Sequence, residues 1–296
     1  MFQKSDTRGR IIERFDEMSE QLQTAARYIL DHPQEVALVS MRELSKKAGV
    51  QPATMTRLAK FLDLEGYHEI REHYAAEIRY QSEGFAAKAR EVSVSNSETG
   101  SDNLALSVLQ GLANQILRLC QTETLERLTD IADRMKAARR IYVLGLRSCH
   151  SVAWHFHYVL SLLGDKTINL DGAANTAGDG LIWAKESDLL LVISINPYVV
   201  QSLDLAAEAH QKGMQVVAIT DSEVSPLVPV SDQVIYCSTE SRSFFHTLTP
   251  ALAVSEVLCA LLAHQDREGA LDALQMADRH LQSINTYTSS IPRRRI

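Results

Sequence analysis

The 296-residue sequence predicts an all-α N-terminal domain followed by an α/β domain with a parallel sheet between helix layers. Three observations support this fold class. The chain is about twice as long as a typical domain. From Gly9 to about Arg79, apolar residues recur every three or four positions, which indicates helices. After Ala138, short apolar runs alternate with helical patterns, which is typical of parallel strands buried on both faces.

The same patterns predict the domain boundaries. We predict a helix-turn-helix domain over residues 1–80, a linker and connecting helix over 81–123, the α/β domain over 124–265, and a C-terminal helix with a basic tail over 266–296. The linker is placed on a polar, Ser-rich segment at 91–103. Strand candidates lie at 140–146, 166–170, 188–195, 214–220 and 232–237. Arg293, Arg294 and Arg295 in the tail are expected to form a solvated end.

Composition and charge narrow the class of protein. The formal net charge of −7 argues against a chain coated in basic residues, but one basic face can still sit on an acidic body. The N-terminus carries charges where a signal peptide needs an apolar run, and no apolar stretch approaches the ~20 residues of a membrane span. We therefore expect a cytoplasmic protein that does not bind membranes.

The cysteines do not form a metal-binding pattern. Cys120, Cys149, Cys237 and Cys259 lie far apart and include no CxxC pair. This spacing favours reduced thiols, because structural zinc needs closely spaced ligands. We expect no metal and no cofactor.

Residues 40–67, SMRELSKKAGVQPATMTRLAKFLDLEGY, concentrate basic residues within this acidic chain. Ser40 followed by Glu43 is a capping box, which predicts a helix that starts near Met41. Gly49 can adopt the positive φ of a tight turn, and Pro52 is favoured in the first turn of the next helix. Two short helices joined by such a turn predict a helix-turn-helix.

The second helix of this motif is the candidate DNA reader. Its N-terminal part would enter the major groove, where hydroxyls and an arginine fork can reach phosphates and base edges. The residues predicted to contact DNA are Thr54, Thr56, Arg57, Lys46, Lys47 and Lys60, with the lysines assigned to phosphates. The alternative is a helical bundle with a solvated basic face.

The segment LSKKAGVQPATMTRLAKFLDLEGYHEIR resembles the N-terminal helix-turn-helix of the RpiR family of bacterial transcriptional regulators. Gln51 departs from that family's pattern, which usually has Ser as the helix N-cap at this position. The resemblance implies double-stranded operator DNA as a partner. Because one reading helix covers only one half-site, we expect a homodimer or a tetramer.

Two strand ends in the second domain carry candidate ligand-binding residues. The strand RIYVLG ends at Gly145 and is followed by Arg147 and Ser148, while LLLVIS ends at Ser194. Each strand precedes a helix, whose N-terminus favours an anion. The C-terminal ends of parallel strands meet at one crevice, where open α/β sheets bind ligands.

This second half resembles the SIS (sugar isomerase) fold, with a five-stranded parallel sheet between helix layers. In that family a loop of the type S-x-S-G-x-T after the third strand binds the phosphate of a phosphosugar. Here its positions carry Ser194, Asn196, Pro197 and Val199, a large departure. Asn196 and Arg147 would supply other donors, and Tyr198 could stack on the ligand or hydrogen-bond to it.

The resemblance extends to two further segments. ITDSEVSPLVPVSD, at 219–232, matches the family after the fourth strand, where we expect Asp221 and Ser222 to serve turn capping. STESRSFFHTLTPALAVSE precedes the last long helix, which lines the pocket in relatives. Ser243 and His246 are the candidates there, with Ser241 close behind.

The combined resemblance implies a regulator, most often a repressor of genes for uptake or breakdown of its ligand. The small-molecule effector would be a phosphosugar or another small anion such as a carboxylate. The alternative is a sugar-phosphate isomerase with a helical appendage. Glu256 is the one acid in a plausible place for that chemistry, and no second catalytic group stands at a suitable spacing, so we assign no catalytic residue.

Overall fold

The computed structural model describes residues 7, 10–11, 14–96, 101–171, 176–223 and 225–287. Arg293, Arg294 and Arg295 lie outside the described residues. The chain divides into two compact units, an N-terminal helical unit and an α/β unit.

The N-terminal unit is built from helices, as predicted. A short 3₁₀ helix, Phe15–Glu17, is followed by α1 (Glu20–Asp31), α2 (Pro33–Leu38), α3 (Met41–Lys47), α4 (Pro52–Phe61) and α5 (Tyr67–Asn96). Apolar residues at helical spacing form its core, including Ile29, Leu44, Met55, Leu58, Leu62 and Ile70. The predicted boundary at residue 80 falls inside α5, which continues to Asn96.

The α/β unit begins with two helices, α6 (Ser101–Arg118) and α7 (Thr122–Ala137). The Ser-rich segment at 91–103 is therefore helical at both ends, as far as Asn96 and again from Ser101. The remaining elements are β1 (Ile141–Gly145), α8 (His150–Ser161), β2 (Thr167–Asn169), β3 (Leu189–Ile193), α9 (Val200–Gln211), β4 (Gln215–Thr220), β5 (Gln233–Tyr236), α10 (Thr249–Gln265) and α11 (Arg267–Ser283). Short 3₁₀ helices occupy Arg147–Cys149, Ala177–Trp183 and Val228–Val230.

All five predicted strands form one parallel sheet with the order β2-β1-β3-β4-β5. Successive side chains point to opposite faces of a strand. Ile141 and Val143 therefore pack in a core with residues of α7, α8 and α10, whereas Tyr142 and Leu144 pack in a second core with residues of α9. Both faces of the sheet are covered, as the uninterrupted apolar strands predicted.

Candidate DNA-binding surface and candidate ligand site

The helix-turn-helix forms from the local signals in its sequence. The Ser40 Oγ accepts a hydrogen bond from the Glu43 backbone N–H at 3.3 Å, which caps α3. Gly49 has a φ of 69°, a value that L side chains rarely adopt. Pro52 is the first residue of α4, while Gln51 precedes it without a side-chain capping bond. The start of α4 thus lacks one capping interaction that Ser would supply.

Most of the predicted DNA contacts lie on the surface of this unit. Lys46, Thr56, Arg57 and Lys60 are exposed. Lys47 is also exposed, but its Nζ forms an ion pair with Glu35 at 3.2 Å. Contact of Lys47 with a phosphate would therefore compete with this ion pair.

The prediction that Thr54 is a polar residue on the surface of α4 is wrong. Thr54 is fully buried in α4, on the stripe that also contains Leu58, four residues later. Its Oγ1 accepts a hydrogen bond from Arg57 Nη2 at 3.3 Å. Thr54 therefore orients the candidate reading arginine from below the surface. The i, i+4 spacing with Leu58 was the sequence signal for this burial.

A cavity of about 390 Å³ adjoins the exposed face of α4. Its lining residues are Met41, Thr56, Gly66, Tyr67, His68 and Arg71. The Tyr67 hydroxyl is buried with no hydrogen-bond partner in the described residues, and burial raises the pKa of Tyr67 to about 12. His68 and Arg71 lie outside the predicted set of DNA contacts. They come into reach of Thr56 only because α5 packs against α4.

Glu65, His68 and Glu69 bring potential metal-ligand atoms within 4.8 Å of one another. Glu69 Oε1 accepts a hydrogen bond from the Glu65 backbone N–H at 2.7 Å. This contact ties the Glu69 carboxylate in the first turn of α5 to the residues that precede the helix.

The candidate ligand site lies where the strand order reverses. β1 has β2 on one side and β3 on the other, and Gly145 at the end of β1 pairs with Ile193 at the end of β3. Ser148 and Ser194 follow these two neighbouring strand ends. Crevices of this kind bind ligands in open α/β sheets. Ser194 is buried and Ser148 is half-buried.

Gly145 has a packing role. A Cβ at this position would lie 2.6 Å from the Cys149 carbonyl oxygen and 2.7 Å from the Ala153 Cβ. The glycine therefore lets the start of α8 approach β1 closely. The prediction that the Gly145 backbone lies at the ligand stays a prediction, and the side where a Cβ would point is filled by Cys149 and Ala153.

The residues after β1 meet the segment that precedes α10. The Ser148 Oγ and His246 Nε2 lie 3.1 Å apart, which brings together two predicted ligand-binding residues 98 positions apart. Arg147 is exposed and has a φ of 56°. Ser243 is half-buried in the same segment as His246.

That segment is also bound to a helix. In α6, Gln115 is 5% exposed, and its Nε2 donates a hydrogen bond to the Glu240 carbonyl oxygen at 2.8 Å. Its Oε1 is buried without a hydrogen-bond partner in the described residues.

The loop after β3 is joined to the loop after β4 by one carboxylate. Asp221 Oδ1 accepts hydrogen bonds from the Asn196 backbone N–H at 3.3 Å and from the Tyr198 hydroxyl at 2.9 Å. The peptide bond between Asn196 and Pro197 is cis. Burial, followed by the negative charge of Asp221, raises the pKa of Tyr198. The predicted turn-capping role therefore understates Asp221, which reaches across to the candidate site.

Glu256, the one acid considered for isomerase chemistry, is exposed on α10. A second cavity, of about 220 Å³, is lined by Glu123, Thr124, Arg127, Glu223, Ile235 and Tyr236. Neither cavity is lined by Ser148 or Ser194. Among the described residues, no helix has the length and apolar character needed to cross a membrane.

Two family models match the chain. Residues 7–81 match the helix-turn-helix domain of the rpiR family, and residues 134–261 match the SIS domain. The two matches fall on the helical unit and on the α/β unit.

Curated relatives match most of this chain. A Thermotoga maritima protein named as an uncharacterized HTH-type transcriptional regulator is 25% identical over 266 residues, which cover 88% of this chain and 93% of the relative. A bifunctional protein glk from Paraburkholderia xenovorans is 25% identical over 216 residues, which cover 72% of this chain and 33% of that protein.

Solved structures share the fold. The sugar isomerase domain of an RpiR transcription factor from Sphaerobacter thermophilus is 26% identical, with a TM-score of 0.55, and the match covers 60% of this chain and 98% of that one. The Vibrio vulnificus NanR protein, solved in complex with ManNAc-6P, is 21% identical, with a TM-score of 0.54, and the match covers 96% of this chain and all of that one, 100%.

Proposed function

Because this chain belongs to the RpiR family of transcriptional regulators, with an rpiR-type helix-turn-helix joined to a SIS domain, we propose that it represses a catabolic or transport operon in response to a small anionic metabolite. The exposed face of α4 carries this proposal. Thr56, Arg57 and Lys60 lie exposed on a helix whose opposite stripe is buried.

The chemistry of that face suits duplex DNA. Arg57 can pair bidentately with guanine, and the ammonium groups of Lys46 and Lys60 can neutralise phosphates. The bond between Arg57 and Thr54 restricts the guanidinium before DNA arrives. A restricted side chain loses less rotamer entropy on binding than a free one.

The effector site is the crevice at the ends of β1 and β3. The proposed effector is a phosphosugar or a similar small anion. The complex of the Vibrio vulnificus NanR protein with ManNAc-6P supports this class, since that protein shares the fold. Effector binding would change operator affinity by favouring one arrangement of the paired DNA-binding units.

We propose that the α/β unit also supplies the contacts of a homodimer. Helices α6 and α11 carry several of the exposed apolar side chains, namely Leu106, Leu109, Ile116, Leu117, Leu271, Leu274 and Met276. Large exposed apolar patches mark interaction surfaces. A dimer would present two reading helices to two half-sites.

The SIS fold leaves one other function to consider, a sugar-phosphate isomerase. Glu256 is exposed to solvent, so it is not placed as the buried general base that this function would need. The glk relatives match this chain over a third of their length, so whatever their remaining length does is not carried over.

Fluorescence anisotropy with the upstream DNA of the protein's own gene, and with operators from a genome-wide selection, tests the regulator. We expect Arg57→Ala to weaken specific binding by about tenfold or more. Lys60→Ala should lower affinity for all sequences and reduce the salt slope by about one. Lys185→Ala, an exposed lysine in the segment before β3, is the matched control and should leave both quantities unchanged. Binding no stronger than to scrambled DNA, with every fragment, would contradict the proposal.

A further inference from the structure

The carboxylate of Asp221 occupies the place where an anion would bind on the loop after β3. Its Oδ1 accepts the Asn196 backbone N–H, the Tyr198 hydroxyl and, at 3.4 Å, the Thr220 hydroxyl. These are the kinds of donor that hold a phosphate on such a loop. In this protein these donors already bind the carboxylate of Asp221.

The chemistry of this loop therefore opposes a second anion. A phosphate at the Asn196 N–H would lose that donor to Asp221 and would stand beside a like charge. Where the family's loop has Gly, Pro197 has no backbone N–H to donate. Where the family's loop has Thr, Val199 has no side-chain hydroxyl. Asp221 Oδ2 takes part in none of the three bonds described, so it can accept a hydrogen bond from a ligand.

The loop after β1 has the opposite character. Arg147 is exposed and carries a fixed positive charge with five N–H donors. Beside it, Ser148 and His246 form a hydrogen-bonded pair that can turn a hydroxyl or an imidazole N–H to a ligand. The loop after β1 thus carries a cation, whereas the loop after β3 is hydrogen-bonded to the carboxylate of Asp221, which follows β4.

We infer that the effector binds in one polarity, with its phosphate or carboxylate held by Arg147, Ser148 and His246, and with hydroxyl or amino donors read by Asp221. Tyr198 holds Asp221 in place and is a positioning residue. The ligand class is a phosphorylated or carboxylated polyol or amino sugar, and a bare anion would use only half of the site. This inference rests on the proposed effector site.

The test is a ³¹P NMR titration of the full-length protein with inorganic phosphate and with N-acetylmannosamine 6-phosphate. We expect Arg147→Ala to weaken binding of both probes by about tenfold or more, because a charge-assisted contact is lost. Asp221→Asn should change the affinity for inorganic phosphate by less than about threefold, and should remove most of the preference for the sugar phosphate.

Two control variants carry the same substitutions at the opposite edge of the sheet, where the strands begin. Arg140→Ala removes an arginine that precedes β1. Asp232→Asn removes a carboxylate whose Oδ2 accepts the Val216 backbone N–H at 2.7 Å, at the start of β4. Neither variant should change the affinity for either probe by more than about twofold.

Two results would overturn the inference. One is a gain of about tenfold or more in phosphate affinity in Asp221→Asn, which would place the anion on the loop after β3. The other is the lack of binding of both probes to the unsubstituted protein at millimolar concentration. Operator binding in the anisotropy assay is measured on the same samples, so failure of the polarity is distinguishable from failure of the regulator proposal.

Discussion

The two units of this protein assemble their candidate sites in different ways. In the helical unit, the residues proposed to contact DNA lie within one stretch of chain, from Lys46 to Lys60. In the α/β unit, the candidate site joins segments far apart in sequence, such as Ser148 with His246 and Asn196 with Asp221. A site of the first kind depends on local helix geometry, and a site of the second kind depends on the sheet that brings strand ends together.

Substitutions in the two hydrophobic cores should cause the largest losses of stability. Leu58 in α4 and Leu191 in β3 are both fully buried, and they belong to different core clusters. We expect Leu58→Ala and Leu191→Ala each to lower the free energy of unfolding of its own unit by about 2–5 kcal/mol. Denaturant unfolding followed by circular dichroism measures both changes.

The same experiment tests whether the two units unfold independently. If the units unfold separately, Leu58→Ala shifts one transition and Leu191→Ala shifts the other. A single transition that both variants shift equally would show that the two units form one cooperative unit, and that their sites are not independent in stability.

Substitution of two glycines by alanine should cause smaller losses of stability, for a different reason at each position. A Cβ at Gly145 would overlap the Cys149 carbonyl and Ala153, so we expect Gly145→Ala to cost about 1–3 kcal/mol through overpacking. Gly49 has no atom within 4 Å of such a Cβ, but its φ of 69° should make Gly49→Ala cost about 1–2 kcal/mol. Equilibrium unfolding of each variant tests this order, and a larger loss for Gly49→Ala would contradict it.

The smallest effect concerns the start of the reading helix. Gln51 caps α4 without a side-chain hydrogen bond, so we expect Gln51→Ser to stabilise the helical unit by up to about 1 kcal/mol. Ser40→Ala removes an existing cap at α3 and should cost a similar amount. A rise in the melting temperature of Gln51→Ser, measured beside Ser40→Ala, checks the sign. No change would mean that the Gln51 backbone conformation already suffices.

The sequence predicted the parts of the molecule that depend on local signals. Ser40, Gly49 and Pro52 marked the turn and the two helices of the motif, and uninterrupted apolar runs marked the five strands. The prediction of Thr54 on the exposed face is wrong, because its spacing from Leu58 places it on the buried stripe. The packing role of Gly145 could not be predicted, because the close approach of α8 to β1 is not visible in the sequence.

The contacts of Asp221 with the loop after β3 could be recognised only in the tertiary structure. Its position after a predicted strand is equally consistent with a turn cap, and nothing local connects it to Asn196 or Tyr198. Parallel pairing of β3 with β4 brings the two loops together. His68 and Arg71 were missed for a similar reason, since they approach Thr56 from the next helix.

The hydrogen bond from Gln115 to Glu240 has a mechanical consequence. It fastens α6, the helix with which the chain enters the α/β unit, to the segment that carries His246. If a ligand draws that segment toward the strand ends, α6 must either follow or lose the bond. Loss would leave a second buried polar atom of Gln115 unpaired, at about 1–3 kcal/mol. This hydrogen bond therefore resists any displacement of the segment that carries His246 relative to α6.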